Sequence, residues 1–301
     1  MGHNRNTLKA HLALLGANLL YGLNYVIAKG MMPDYFAPRA IILIRVSGAL
    51  LFFWLFQLFT ASDKVRRRDL YRLALCALFG VATNQILFFE GLNLTTPINA
   101  SLIMLVVPIL VLMFSRMLLG EQITGNKIIG IFIGLAGAAI LILSAGKVSF
   151  ASDTFTGNVL VFINAAAFGF YLVLVKPMML RYKAITVMKW VFLFGFIYVT
   201  PLCIQPFMQT DFSSIPLRFW FSLAYVIIGT TILAYLLFNY SLKHVSPVVS
   251  SMYMYSQPFI ASVTAVLVGM DFLKWQQGLA AILVFTGVYF VSIRKNRTIR
   301  K

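Results

Sequence analysis

Long apolar runs separated by short polar segments dominate the chain. Ten runs, at residues 8–30, 39–60, 71–93, 97–118, 126–145, 157–176, 184–206, 217–241, 247–269 and 276–293, approach or exceed the ~20 residues that carry an α-helix across a bilayer core. None alternates apolar and polar positions as a barrel strand does. Lipid offers backbone groups no outside partner, so every run is predicted to be helical. The pattern therefore predicts an all-α polytopic membrane protein, with no soluble domain and no long linker. The first run carries Asn18, Tyr21, Asn24 and Tyr25, polar content that argues against a cleavable signal.

The pattern also repeats. At a shift of 150 positions, Phe88 falls on Phe238, Leu92 on Leu242, Pro97 on Pro247 and Ser101 on Ser251; Met104 then falls on Met254, Pro108 on Pro258 and Gly137 on Gly287. Near the start of each half, Gly22, Lys29, Met31 and Met32 fall on Gly169, Lys176, Met178 and Met179. Two related halves in an apolar chain are a transporter pattern. The expected division is a first five-helix repeat at 1–146 and a second at 147–301. Five spans is an odd number, so the second repeat starts on the opposite side of the membrane and is inverted.

Charge agrees with that inversion. With the N-terminus inside, 18 of the 25 Lys and Arg fall in inner segments and five in outer ones, leaving Arg45 and Lys189 within spans. This is the positive-inside distribution, with both termini cytoplasmic. The segment at 62–72 holds five basic residues, whereas its counterpart at 207–218 holds only Arg218. Basic residues thus follow membrane side rather than repeat position. The net charge of +17 is accordingly a topology signal, with contact to anionic headgroups, rather than a nucleic-acid surface. A chain that is 60% hydrophobic and 11% charged has lipid for its solvent. Its mean hydropathy of +0.88 says the same.

Candidate chemistry is sparse. No metalloprotease, nucleophile-elbow or phosphate-loop motif occurs, paired carboxylates are missing, and Cys76 and Cys203 read as small buried hydrophobes. The expectation is a non-enzyme with no cofactor and no metal. The expected partners are a small-molecule substrate and the lipid bilayer, not nucleic acid. With no nucleotide domain, transport is passive, exchange or ion-driven.

Polar groups within spans face protein or water rather than lipid. Asn18, Gly22, Tyr25 and Lys29 share a face of the first run, and Asn84 and Phe88 lie in the third. Asn164, Phe168 and Tyr171 lie in the sixth; Thr231, Tyr235 and Asn239 in the eighth; Ser250, Met254 and Gln257 in the ninth, beside Tyr253 and Tyr255. Two readings stand: hydrogen bonding between helices, or a central site of amides, hydroxyls and rings. Pro108 and Pro258 interrupt the fourth and ninth runs at matched positions and are expected to kink them beside that site. Pro97 and Pro247 fall at helix starts. Gly130, Gly134 and Gly137 allow close helix approach, within the fold or between subunits. Arg45 and Glu90 are either a buried ion pair that braces the first half or senses protons, or two side chains reaching the outer interface. Lys189, the counterpart of Arg45, has no obvious acidic partner.

The run Leu118-Leu119-Gly120-Glu121-Gln122-Ile123-Thr124, followed by Gly130, Gly134 and Gly137, resembles the signature joining the fourth and fifth helices in the EamA family of the drug/metabolite transporter superfamily. Tyr21-Gly22-Leu23-Asn24-Tyr25 is similar to the first-helix motif of that family, with tyrosine for tryptophan. In the second half Met270-Asp271 stands where the signature has Gly-Glu. The resemblance covers the whole chain. It implies a bacterial inner-membrane carrier, often an exporter of amino acids or related metabolites, with a site between helices one, three, four, six, eight and nine. The expected function is non-ATP, alternating-access transport of a neutral or zwitterionic solute. The alternative is a non-transporting membrane interaction protein.

Overall fold

Apolar runs without alternation become helices wherever the chain is described. The computed structural model describes residues 2–59, 63–144, 155–260 and 275–292, and no strand occurs among them. We number the helices α1 (Gly2–Lys29), α2 (Pro38–Leu58), α3 (Arg67–Leu94), α4 (Pro97–Met104), α5 (Val107–Leu119), α6 (Gly125–Ser144), α7 (Phe155–Arg181), α8 (Ala184–Met208), α9 (Leu217–Leu242), α10 (Pro247–Met252) and α11 (Trp275–Ser292). Among the described residues, seven stretches are long and apolar enough to cross a membrane, and Gly125–Gly137 and Gly278–Ser292 are shorter apolar helices. The run expected at 247–269 begins as α10 and a 3₁₀ turn at Tyr253–Ser256, and its part beyond 260 lies outside the described residues, as does Met270-Asp271.

Local chemistry sets the helix ends. Proline opens α2, α4 and α10 at the first position, where its missing N–H costs nothing. The Thr96 hydroxyl accepts from the Asn99 N–H, and the Ser246 hydroxyl accepts from the Val249 N–H. Gly120 ends α5 at φ 64°, a left-handed conformation that side chains resist. Glu121 then accepts a 2.6 Å bond from Lys127 Nζ across the turn into α6. The Leu-Leu-Gly-Glu run therefore has a physical job: it stops one helix and clips the next in place.

The helices pair across the chain rather than along it. α1 lies against α9 and α3 against α7; α2 packs on α8, α5 on α10, and α6 on α11. The α6–α11 seam is made by glycine. A Cβ at Gly137 would meet the 280–284 turn, with the Ala280 carbonyl at 2.9 Å, and one at Gly287 would meet the 130–134 turn, with the Gly130 carbonyl at 2.5 Å. The glycines of the fifth run thus serve a contact inside this fold.

Two lysines tie helix ends together. Lys29 Nζ donates to the carbonyls of Leu92 (3.0 Å) and Asn93 (2.6 Å) at the end of α3. Lys176 Nζ donates to the carbonyls of Leu242 and Val245 at the end of α9. Each satisfies carbonyls that a helix terminus leaves without intrahelical partners. The outer surface carries exposed Leu, Ile, Met and Phe, among them Leu58, Phe59, Met117 and Phe221. An apolar exterior of that extent belongs in lipid. Lys189 lies over the Trp54 ring at 4.0 Å, so a cation–π contact serves where no acidic partner was expected. Cys76 and Cys203 are buried and unbridged.

Candidate functional site

Six helices and the 3₁₀ turn after α10 converge on one internal cavity of about 70 Å³. At roughly 10–15 Å³ per water, that is room for about five to seven waters or a compact solute. α1 contributes Tyr21, Asn24 and Tyr25, α2 contributes Arg45, and α3 contributes Asn84, Gln85, Phe88 and Phe89. Met104 comes from α4, Asn164 and Phe168 from α7, and Tyr235 and Phe238 from α9. Met254 and Gln257 close the remaining side.

Rings build the apolar walls. Tyr25 and Phe88 meet edge-on with centroids 5.5 Å apart, and Phe168 and Phe238 do the same at 5.9 Å. Amides supply the polarity. Asn164 Nδ2 donates to the Asn84 carbonyl at 2.6 Å, while Asn164 Oδ1 is buried without a partner. The Gln85 amide lies against the Tyr235 hydroxyl but makes no bond of full geometry at either atom. Buried polar groups are normally paired, so unpaired ones on a cavity wall are places for a guest or for water.

Two π turns shape this wall. They lie at Leu78–Thr83 in α3 and Tyr225–Leu233 in α9. A π turn inserts a residue into the helical register. Beyond the first one, the adjacent pairs Asn84/Gln85 and Phe88/Phe89 all reach the cavity. In the second, Thr230 and Thr231 both donate to the Val226 carbonyl, at 2.8 and 2.7 Å. The Gly80 carbonyl, within the first π turn, accepts from the Tyr235 hydroxyl at 2.8 Å.

The structure rearranges the charged residues expected to pair. Arg45 and Glu90 do not meet. Glu90 binds Arg39 instead, at 2.6 Å, with side chains 24% and 44% exposed. Arg45 is turned inward and 4% exposed. Its Nε donates to Thr231 Oγ1 at 2.8 Å, its Nη2 reaches Thr230 Oγ1 at 3.5 Å, and its guanidinium carbon sits 4.9 Å from the Phe89 ring centre. The physical reason is helix phase: Arg39 and Arg45 are six residues apart, so one turns to the rim of α3 while the other faces α9.

Of the expected lining residues, Tyr25, Asn84, Phe88, Asn164, Tyr235, Met254 and Gln257 lie on the cavity. Asn18, Tyr171, Asn239, Pro108 and Pro258 do not. Asn18 stands one layer behind, accepting from Gln257 Nε2 at 2.8 Å, while Tyr25 Oη donates to Gln257 Oε1 at 3.2 Å. Tyr171 donates to Asn239 Oδ1 at 2.9 Å, and Asn239 Nδ2 returns to the Tyr235 carbonyl at 2.9 Å. These groups satisfy one another between helices. Pro108 is buried at the second position of α5, where it follows a break at Leu105–Val106 rather than kinking a continuous helix. Pro258 is buried just past the 3₁₀ turn. Met104 and Met254, four residues before each proline, are the side chains that reach the cavity. Sequence reasoning missed Tyr21, Asn24, Gln85, Phe89, Met104 and Phe238 as lining residues, and did not place Arg45 on the cavity. For the first two a signal existed, since Tyr21, Asn24 and Tyr25 follow helical i, i+3, i+4 spacing.

A bundle of apolar helices around a small, largely amide- and ring-lined cavity is the build of a solute carrier. The family model of the EamA-like transporter family matches residues 8–143 and again 155–293, so the chain belongs to that family, whose members are transporters and not enzymes. It is a multi-pass membrane protein acting on a small-molecule substrate. It is 23% identical over 288 residues to the "Uncharacterized transporter YyaM" of Bacillus subtilis (strain 168), covering 95% of this chain and 94% of that one. It is 26% identical over 200 residues to the "Probable terminal-alkyne amino-acid exporter" of Streptantibioticus cattleyicolor, covering 66% of this chain and 65% of that one. A solved crystal structure superposes with a TM-score of 0.74 at 20% identity, over 96% of this chain and 98% of the other, and shares the fold.

Proposed function

We propose that this protein is a secondary, non-ATP transporter that carries small organic metabolites, amino acids or related solutes, across a bacterial inner membrane by alternating access, in the export direction. The observation that carries this reading is the central cavity, lined from both halves by amides, hydroxyls and rings. On this reading the chain is ten spans in two inverted five-helix repeats, 1–146 and 147–301, with both termini cytoplasmic.

The pairings support the repeat. Exchanging each helix for its counterpart five spans on turns the α1–α9 contact into the α7–α3 contact and leaves the α2–α8 and α6–α11 contacts unchanged. Lys29 on Leu92 becomes Lys176 on Leu242, and Gly137 on 280–284 becomes Gly287 on 130–134. On the cavity itself, Phe88 and Phe238 are counterparts, as are Met104 and Met254. The halves share a scaffold around one axis and differ in the polar residues, which is where choice of solute resides. Rocking of the halves about that axis would open the cavity to each side in turn.

The test is transport by purified protein in liposomes against a panel of amino acids, related metabolites and nucleosides, from inside and outside, with and without a pH step. Movement of a panel member from the cytoplasmic side is expected, and the pH step reads proton coupling. Protein that moves none of them would instead be a non-transporting membrane interaction protein. Labelling of single cysteines placed near each terminus reads the orientation; reagent reaching either terminus from outside intact cells would refute it.

A further inference from the structure

Arg45 is the one charged side chain among the described residues that line the cavity. It is a permanent cation, buried at 4% exposure in the middle of an apolar bundle. Its neighbours are neutral: two threonine hydroxyls, the face of Phe89 and the phenol groups of Tyr21 and Tyr235. Glu90, Glu121 and Asp69 are held in ion pairs by Arg39, Lys127 and Arg181. A guanidinium has five N–H donors in a rigid fork, and Thr231 and Thr230 engage only two of them. A buried cation with no counter-ion is costly, and a fold keeps one where an anion arrives.

We infer that Arg45 is the receptor for a carboxylate on the transported solute. Three observations set the class of that solute. One fork of one charge matches one planar carboxylate, whereas a phosphate monoester carries up to about two charges at neutral pH and finds no second cation here. Phe88, Phe168 and Phe238 receive an apolar body. No acidic side chain lines the cavity among the described residues, so an amino group on the solute meets the amides of the wall, where Asn164 Oδ1 has no protein partner. The solute is therefore a compact monocarboxylate with an apolar body, in which an amino group is accommodated but does not supply the main electrostatic contact. Thr230 and Thr231 are positioning residues: the π turn of α9 presents both hydroxyls to one edge of the guanidinium and aligns it.

This inference rests on the transporter reading, and the experiment separates the two. Wild-type protein in lipid nanodiscs and liposomes is offered leucine, valine and phenylalanine, each beside its primary amide, its methyl ester and its decarboxylated amine, and also a short alkyl phosphate. Binding is read by thermal stabilisation and transport by accumulation. Carboxylates are expected to be favoured at least tenfold over the matched amide, ester and amine, and over the phosphate. Arg45→Gln is expected to erase that preference and Arg45→Lys to retain part of it. Thr231→Val is expected to weaken the carboxylate several-fold with little effect on the amide, a selective loss that a merely structural role would not produce. If Arg45→Gln does not fold, the wild-type series and Arg45→Lys decide. Equal handling of carboxylate and amide, or preference for the phosphate, overturns the inference while leaving the transporter intact. If no solute in the broad panel binds or moves, the transporter reading fails and this inference fails with it.

Discussion

Replacing Gly287 by alanine adds one methyl group at the tightest point of the α6–α11 seam. The new Cβ would lie 2.5 Å from the Gly130 carbonyl oxygen, 2.8 Å from the Gly134 nitrogen and 3.0 Å from the Gly134 Cα, whereas ordinary contact begins at 3.4 Å. The first contact is 0.9 Å short, and every opposing atom is backbone, so no flexible side chain can swing aside. The two helices must separate along the seam. Overpacking of this kind costs about 1–3 kcal/mol, while glycine-to-alanine in a helix returns up to about 1 kcal/mol. The second term is removed by a control on the same helix: Gly278→Ala places its Cβ in open space. The difference between the two variants is then the overpacking cost. At about 2–4 °C per kcal/mol, Gly287→Ala should melt about 2–12 °C below Gly278→Ala in detergent, followed by intrinsic fluorescence. If both melt within a degree of each other, the seam is not the close contact described and its glycines have another role.

Other outcomes follow from the same geometry. Glu90→Gln breaks an exposed pair, so it should lower stability by less than about 1 kcal/mol and leave solute preference unchanged; a large loss in thermal melting would restore Glu90 to a buried role. Tyr171→Phe leaves the buried Asn239 Oδ1 without its donor and should cost about 1–3 kcal/mol in the same assay, with little effect on solute affinity if both residues only brace the fold. Lys29→Met and Lys176→Met remove equivalent ties at opposite ends of the bundle and should lower stability by similar amounts, about 0.5–2 kcal/mol each, read as matched drops in melting temperature; a strongly unequal pair would argue against the two-fold scaffold. Asn164→Ala opens the amide wall of the cavity and should weaken solute binding up to about tenfold, measured by titration in nanodiscs.

The residues that proved legible in sequence were those whose neighbours lie one helical turn away or in the matching repeat. Pro97 and Pro247 open helices because a first position needs no N–H, and Gly120 ends one because only glycine takes its φ easily. Asn84, Phe88, Asn164 and Tyr235 reach the cavity because polar and aromatic groups on an apolar helix turn from lipid. The same argument could not separate Asn164 from Asn239. Both are buried amides, and only the position of a neighbour makes one a wall and the other a strut to Tyr171. Gln85 and Phe89 stayed hidden because each lies one position on from Asn84 and Phe88, about 100° around a regular helix, and only the packing of the neighbouring helices makes the cavity wide enough to take both. Pro108 misled for a related reason: the chain breaks before it, so the kink and the cavity-facing side chain belong to the preceding turn.

Sequence alone determined the solvent, the secondary structure and the two-half pattern, because those depend on local apolar length, on identity at a fixed shift, and on the cost of moving charge through lipid. Tertiary structure decided the partners. Arg39 rather than Arg45 meets Glu90, the glycines of α6 close on α11, and Arg45 faces a cavity with no counter-ion among the described residues. Each is a matter of helix rotation and register between segments far apart in the chain, which packing sets and one-dimensional spacing does not encode.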